Sequence, residues 1–371
     1  MTERQVKTGV FLKAGKIIGT GHLMRTSALV RTLGPSVRPM LYASEFDDAL
    51  RPLEVTSLYT DIKTAPLDDL PALALADGIE LAIFDHYGID ARLESRLVQA
   101  GCKVVVIDDL SNRPHDCHLL FDQGIDRSYE AYQALVPPYC KLCLGPRYAM
   151  LNPLFAKIER RAQAAETNSA NSVGSSKTGY TGSTNGSELN APDCPRVLIC
   201  FGGSDPVHGC RKALQALLTE KLYAEYAFTV VAGAANPDFD RLHEMIAAAA
   251  LPAAQDVKLL RHCTDMPSLY AAHDLCVGAY GVMFAERLCS GLPSVCIKIA
   301  DNQSGADKVL KRHQLGVNLP LEELEKPGAM HAALQELQRH AALFMQNGRA
   351  LYDGQGLFRQ AAEIKALLTR P

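Results

Sequence analysis

The sequence predicts an α/β protein built from two doubly wound parallel-sheet domains. Three observations predict it. The chain has 371 residues, more than one ordinary core encloses. Short apolar, β-branched runs alternate with stretches of helical spacing in both halves. That alternation breaks once, at a segment too polar to join either core.

The break runs from Glu166 to Pro195, "ETNSANSVGSSKTGYTGSTNGSELNAPDCP". Ser, Thr, Asn and Gly dominate it, and such a stretch cannot bury enough apolar surface to offset its ordering entropy. It reads as a flexible linker or insertion. The expected division is a first domain at 1–160, a linker at 161–195 and a second domain at 196–371.

Ahead of the break, "VRPMLYAS", "LAIFD", "KVVVIDD" and "LLFDQ" read as buried parallel strands. "GHLMRTSALVRTL" and "ARLESRLVQAG" read as helices between them. Beyond it, "RVLICFGGSDP", "FTVVAG", "DVKLLRHC", "LCVGAYG" and "PSVCIKIA" supply strands. "HGCRKALQALL", "MPSLYAAHD" and "MFAERLCSG" supply helices, and the last helix, "GLFRQAAEIKALL", is expected to cross back onto the first domain. Ligands of such sheets sit at the carboxyl ends of the strands. Two of them are expected to face a central cleft, so the loops that follow strands carry the interest.

Composition narrows the function classes. Apolar residues make up 47 %, charged residues 21 %, and net charge is −3. That balance predicts no nucleic-acid footprint and no polybasic membrane patch. The chain opens on no secretory signal, and no apolar run is long enough to span a bilayer. The 11 cysteines are scattered, mostly in apolar runs, as expected of free thiols in a reducing cytoplasm. Cys140 and Cys143 form a lone C-x-x-C without the second pair that zinc requires. No metal and no cofactor is expected.

Four loops stand out. The first is "IGTGHLMR", with Gly19, Gly21, His22 and Arg25. A dinucleotide fingerprint needs a small residue where Met24 stands, because a large one would hold the helix off the strand; Glu45 would be its ribose acid. Alternatively, His22 lies in the first helical turn, where the dipole works against a second ring proton. A neutral imidazole accepts a proton from water, as a general base must. It could equally cap the helix or pack in the turn.

The second loop, Asp85-His86-Tyr87-Gly88, closes a buried strand with three protonatable side chains. It fits a ligand site or a capped turn. In the third, Phe201-Gly202-Gly203-Ser204-Asp205-Pro206, exposed backbone amides suit a phosphate and Pro206 suits the first turn of a helix. In the fourth, "GAYGVMFAERLCSGLPSVCIKIADNQ", a helix starts after Gly281 with free amides suited to a diphosphate. Glu286 lies one and a half turns in, able to accept from two ribose hydroxyls or, with Arg287, to form a surface ion-pair face. Asp301-Asn302-Gln303 follow the next strand.

"IGTGHLMR", "FDHYGID", "VVVIDDLSNRPHDCHLLFDQ", "CFGGSDP", "ERLCSGLPSV" and "ADNQ" stand in the order seen in the PseG family. The chain resembles that family over roughly residues 10–160 and 195–365. Its members are UDP-2,4-diacetamido-2,4,6-trideoxy-β-L-altropyranose hydrolases of pseudaminic acid biosynthesis, similar in fold to MurG-type GT-B glycosyltransferases. The resemblance implies a GT-B fold. It implies a metal-independent hydrolase that releases UDP and free sugar with inversion at C1, with His22 as the base. Gly19, Gly21, Arg25, Asp85, His86 and Tyr87 would surround the sugar. Gly202, Gly203, Ser204, Gly281, Val282, Glu286, Asn302 and Gln303 would hold the rest of the nucleotide sugar. Asp108 and Asp109 are read as turn and pocket structure.

Many relatives carry Arg-x-Asp after the first strand. Here that place reads "FLKAGKIIGTGH", with Lys13 and no acid. The expected partner is a UDP-sugar and the expected state a monomer, and the sequence leaves open whether the product decorates flagellin, capsule or lipopolysaccharide. A MurG-like transferase, a catalytically silent UDP-sugar-binding protein and an NAD oxidoreductase are the competing readings.

Overall fold

Runs that are apolar on both faces can be buried only between two layers of helix, and here they form two all-parallel sheets. The computed structural model describes residues 4–15, 20–160, 194–252, 257–299 and 305–369. The first sheet contains β1 (Val6–Ala14), β2 (Val37–Phe46), β3 (Ile62–Thr64), β4 (Leu81–Phe84), β5 (Lys103–Ile107), β6 (Leu119–Asp122) and β7 (Lys141–Leu144). Their order is β3-β2-β1-β4-β5-β6-β7. Helices α1 (Gly21–Leu33), α2 (Leu70–Ala76) and α3 (Ala91–Gln99) connect them.

The second sheet contains β8 (Arg196–Cys200), β9 (Ala227–Ala232), β10 (Val257–Arg261), β11 (Leu275–Ala279), β12 (Ser294–Ile297) and β13 (Val317–Asn318). Their order is β10-β9-β8-β11-β12-β13. Its helices are α4 (Gly209–Thr219), α5 (Phe239–Ala248), α6 (Met266–Ala271), α7 (Val282–Cys289), α8 (Ala306–His313) and α9 (Ala329–Arg339). Then come α10 (Ala341–Leu351) and α11 (Gly356–Leu368). No described helix is long and apolar enough to cross a membrane.

In both sheets the chain winds outward on one side and then returns to the centre to wind the other way. The turnover falls between β1 and β4 in the first sheet and between β8 and β11 in the second. Such switch points open a crevice at the carboxyl ends of the strands. One interruption of the pairing matters below: between Leu12 and Ala14 of β1 the register against β2 shifts, from Leu12↔Ala43 to Ala14↔Phe46.

Two compact units result, Met1–Ala156 with Arg349–Pro371, and Lys157–Gly348. The expected second domain at 196–371 therefore loses its last helix to the first unit. The reason is packing: Leu357, Ala361, Ile364 and Leu367 of α11 share a core with Leu29, Ile83 and Val105. Gln360 Nε2 also donates to the Tyr148 carbonyl at 2.7 Å. The expected linker, all but its last two residues, lies outside the described residues. Cys143 is buried in β7, and Cys140 Sγ lies 3.6 Å from Cys117 Sγ.

Candidate functional site

In the first unit, α1 and the end of β4 meet at the switch point. His22 and Arg25 are three residues apart and so share one helix face. Both reach Asp85, the residue directly after β4. His22 Nδ1 lies 2.7 Å from Asp85 Oδ1, and Arg25 Nε donates to Oδ2 at 2.6 Å. Arg25 Nη2 donates to Oδ1 as well. Burial pulls the Asp85 carboxyl upward, but the Arg25 charge and the hydrogen bonds from Arg25 and His22 outweigh it. The carboxyl is held below its usual range. An ionised carboxylate only accepts, so the His22 proton sits on Nδ1. Arg25 Nη2, 3.3 Å from the same nitrogen, is a donor facing a donor and makes no bond there. On a neutral ring Nε2 would then carry the lone pair, and it has no partner among the described residues.

Tyr87 presents its ring edge to His22, at 5.1 Å between centroids and 82° between planes. Its hydroxyl donates to Asp109 Oδ2 at 3.0 Å, and Arg25 Nη1 lies 3.7 Å from that oxygen. Burial and then the Asp109 charge raise the Tyr87 phenol above its ordinary value, which keeps it a donor. Asp109 is more than turn structure. Its carbonyl accepts from Arg127 Nη2 at 2.8 Å, while its fully buried neighbour Asp108 accepts from Arg113 and Tyr132. Two acids directly after a buried strand were the signal for it.

His86 is buried. Its Nδ1 accepts from the Gly88 N–H at 2.9 Å, so Nε2–H donates to Ser44 Oγ at 2.8 Å. Burial, followed by the Lys13 charge, pushes its ring down to about 4. Arg25, Asp85 and His86, expected around a substrate, are therefore turned onto protein partners. His22 Nε2 and the Tyr87 ring are left accessible, and Gly21 opens onto free space. Gly19 lies outside the described residues. Met24 is 49 % exposed, whereas Leu23, Thr26 and Ser27 are buried. The methionine therefore does not hold α1 off the sheet, and the steric argument against a dinucleotide there fails.

The second unit is furnished differently. Helix α4 begins at Gly209, so Pro206 precedes it rather than filling its first turn. Buried Asp205 does the capping. It accepts from the Gly209 N–H at 2.7 Å, the Cys210 N–H at 2.9 Å and Asn236 Nδ2 at 3.3 Å. The anion place at the α4 N-terminus is taken by the protein's own carboxylate. Gly203 and Ser204 remain exposed beside Gly202, whose φ of 97° requires glycine.

No side chain caps α7, and its first turn holds no acid. Gly281 enters it at φ 126°, and Val282 is exposed. Among the described residues the Val282 and Met283 amides have no hydrogen-bond partner, while the Phe284 N–H donates to the Gly281 carbonyl at 3.0 Å. A Cβ on Gly202 would lie 3.8 Å from Met283 Sδ, so the two glycine turns adjoin. Glu286, half-buried on the fifth position of α7, accepts from Tyr270 Oη at 3.3 Å. Burial lifts its carboxyl to about 7, with Tyr270 and Arg287 opposing. Arg287 forms no surface ion pair: it is fully buried, donating from Nε to Ser294 Oγ at 2.9 Å and from Nη2 to the Ala279 carbonyl at 2.7 Å. It ties the end of β11 to the start of β12, beneath the helix that carries Glu286. Asn302 and Gln303 lie outside the described residues.

Two doubly wound parallel-sheet units in one chain define the GT-B fold. MurG of Acinetobacter baumannii superposes with a TM-score of 0.63, 13 % identity and coverage of 97 % of this chain and 99 % of that one. HepE of Anabaena in complex with UDP gives 0.61, with 16 % identity, over 98 % and 100 %. At such identities the likeness is one of fold. No family model matches the chain. Among curated proteins, the spore coat polysaccharide biosynthesis protein SpsG of Bacillus subtilis is 21 % identical over 97 % of this chain and 98 % of its own. A UDP-2,4-diacetamido-2,4,6-trideoxy-β-L-altropyranose hydrolase of Campylobacter jejuni is 27 % identical over 145 residues, 37 % of this chain and 49 % of that one.

Proposed function

We propose that the protein is a UDP-sugar hydrolase that cleaves the anomeric C–O bond of a UDP-linked 2,4-diacetamido-2,4,6-trideoxy sugar, a step of pseudaminic acid biosynthesis. The observation that carries this reading is His22, with Nδ1 held on a buried carboxylate and Nε2 without a partner among the described residues. In this reading Nε2 takes a proton from water as the water oxygen bonds to C1. The C1–O bond to the diphosphate breaks with its electron pair leaving on UDP, and the configuration at C1 inverts. Asp85 stabilises the imidazolium that forms, and Arg25 keeps Asp85 ionised. The α7 amides and helix dipole take the departing negative charge, and Glu286 takes the ribose hydroxyls. The Campylobacter relative named as such a hydrolase and the UDP-bound likeness support the substrate class. The length-wide likeness to MurG favours a second reading, transfer of the sugar to an acceptor.

Incubation with the UDP-sugar, followed by NMR, separates the two. Release of UDP and free sugar without any acceptor, with the inverted anomer appearing first, supports hydrolysis; turnover only on adding an acceptor overturns it. His22→Asn is expected to lower turnover about 10²- to 10⁴-fold while UDP affinity stays within about twofold.

A further inference from the structure

Beside the His22–Asp85 pair, on the opposite side of β1, lies a second group of polar side chains that the reaction above does not use. Lys13 sits at the carboxyl end of β1, at the register shift. One residue of β1 there faces two of β2, Ser44 and Glu45. Such bulges re-aim side chains at the ends of strands. Lys13 and Ser44 follow Phe11 and Tyr42 by two residues, so they continue the face on which those rings stack at 5.0 Å. His86 reaches the same place from β4.

The hydrogen-bond inventory here has one solution. His86 Nδ1 is occupied as an acceptor by the Gly88 N–H, so Nε2 donates and Ser44 Oγ accepts. The Ser44 hydroxyl proton is left to point elsewhere. Half-buried Lys13 makes no ion pair or hydrogen bond with any described residue, and its charge reaches His86. Two donors, an ammonium and a hydroxyl, thus stand at the carboxyl edge of adjacent strands with no acceptor among the described residues.

We propose that Lys13 and Ser44 form a subsite for the carbonyl oxygen of one N-acetyl substituent on the sugar, with His86 setting the direction of the Ser44 hydroxyl. The proposal rests on the UDP-sugar reading above and adds which group of the sugar is recognised. Lys13 and Ser44 are specificity residues in it, and His86 is a positioning residue.

The test is a binding cycle in the His22→Asn background, so that turnover does not interfere. Calorimetry measures affinity for UDP, for the UDP-2,4-diacetamido-2,4,6-trideoxy sugar, and for two analogues with one acetamido group replaced in turn by hydroxyl. Replacing one of the two acetamido groups is expected to cost about 10- to 100-fold in affinity, the range for a hydrogen bond to a charged donor. Lys13→Met and Ser44→Ala should each erase much of that preference while leaving UDP affinity within about twofold, and Lys13→Arg should retain it. The subsite is overturned if both variants discriminate as the parent does, if UDP affinity falls with the sugar's, or if no UDP-sugar binds. UDP release by the unsubstituted protein reads the hydrolase reaction separately, so a transferase with an intact acetamido preference would refute only the former.

Discussion

The two switch points occupy equivalent places in the two sheets and are furnished differently. Between β1 and β4, the crevice holds the protein's own charges: Asp85 is clamped by His22 and Arg25, with Asp109 beyond. Between β8 and β11 no such clamp is seen among the described residues; α7 starts, as α1 does, with no side-chain cap and no acid in its first turn, and its Val282 and Met283 amides have no partner among the described residues. A buried carboxylate clamped at the turnover can orient an imidazole, whereas unpaired N–H groups suit an anion. In the proposed reading the same layer architecture would serve a reactive site in one unit and an anion receptor in the other. Within the second unit α4 shows the contrast again, since Asp205 fills the place that α7 leaves open.

The largest expected effect breaks the first half of this comparison. Asp85→Asn presents an amide N–H to His22 Nδ1, forcing the ring proton onto Nε2. Turnover should fall by about three to four orders of magnitude with UDP affinity unchanged, as measured by steady-state kinetics beside calorimetry. A parallel loss of UDP affinity would mean that the first switch point holds the nucleotide after all.

Glu286 sharpens the second half. Glu286→Ala should weaken UDP binding by about 10- to 100-fold and leave the reactive unit untouched. The carboxyl stands near 7 in the free protein, and hydroxyl donors favour its ionised form, so binding should expel a proton. At pH 7 about half a proton should be released, and UDP affinity should rise as pH climbs through 7 and level off above it. Calorimetry in two buffers of different ionisation enthalpy measures the release. Glu286→Gln should remove this component, leaving only that of the nucleotide itself.

The smallest effect belongs to Asp205. Asp205→Ala deletes a helix cap and should cost about 1–2 kcal/mol of stability, read from urea denaturation, without changing UDP affinity. A loss of affinity would mean that α4 as well as α7 takes part in anion binding.

The long strands and their alternation with helices were legible because burial on both faces leaves β-branched runs such as "KVVVI" and "RVLIC" that little else explains. Edge strands β3 and β13, of three and two residues, are too short to show a period. His22 and Asp85 could each be singled out, but their union spans 63 residues and exists only in the fold. Asp205 was readable in principle, since Asp ahead of a helix is a preferred cap; the glycines beside it suggested a ligand instead. Arg287 had no such signal. A Glu-Arg pair on a helix looks like solvated surface, and only the sheet beneath α7 shows that the arginine is enclosed.

The placement of α11 has a consequence for synthesis. Residues 157–348 form one uninterrupted unit, while the other is split around it. Chains leave the ribosome N-terminus first, and domains generally fold as they emerge in that order. Here the order of completion is reversed. The inner unit is complete in sequence at Gly348, ahead of Leu357, Ala361, Ile364 and Leu367, which must themselves emerge before they can cover Leu29, Ile83 and Val105. During that interval the seven-stranded sheet carries an uncovered apolar face, and the window for chaperone capture or aggregation closes only with the final helix.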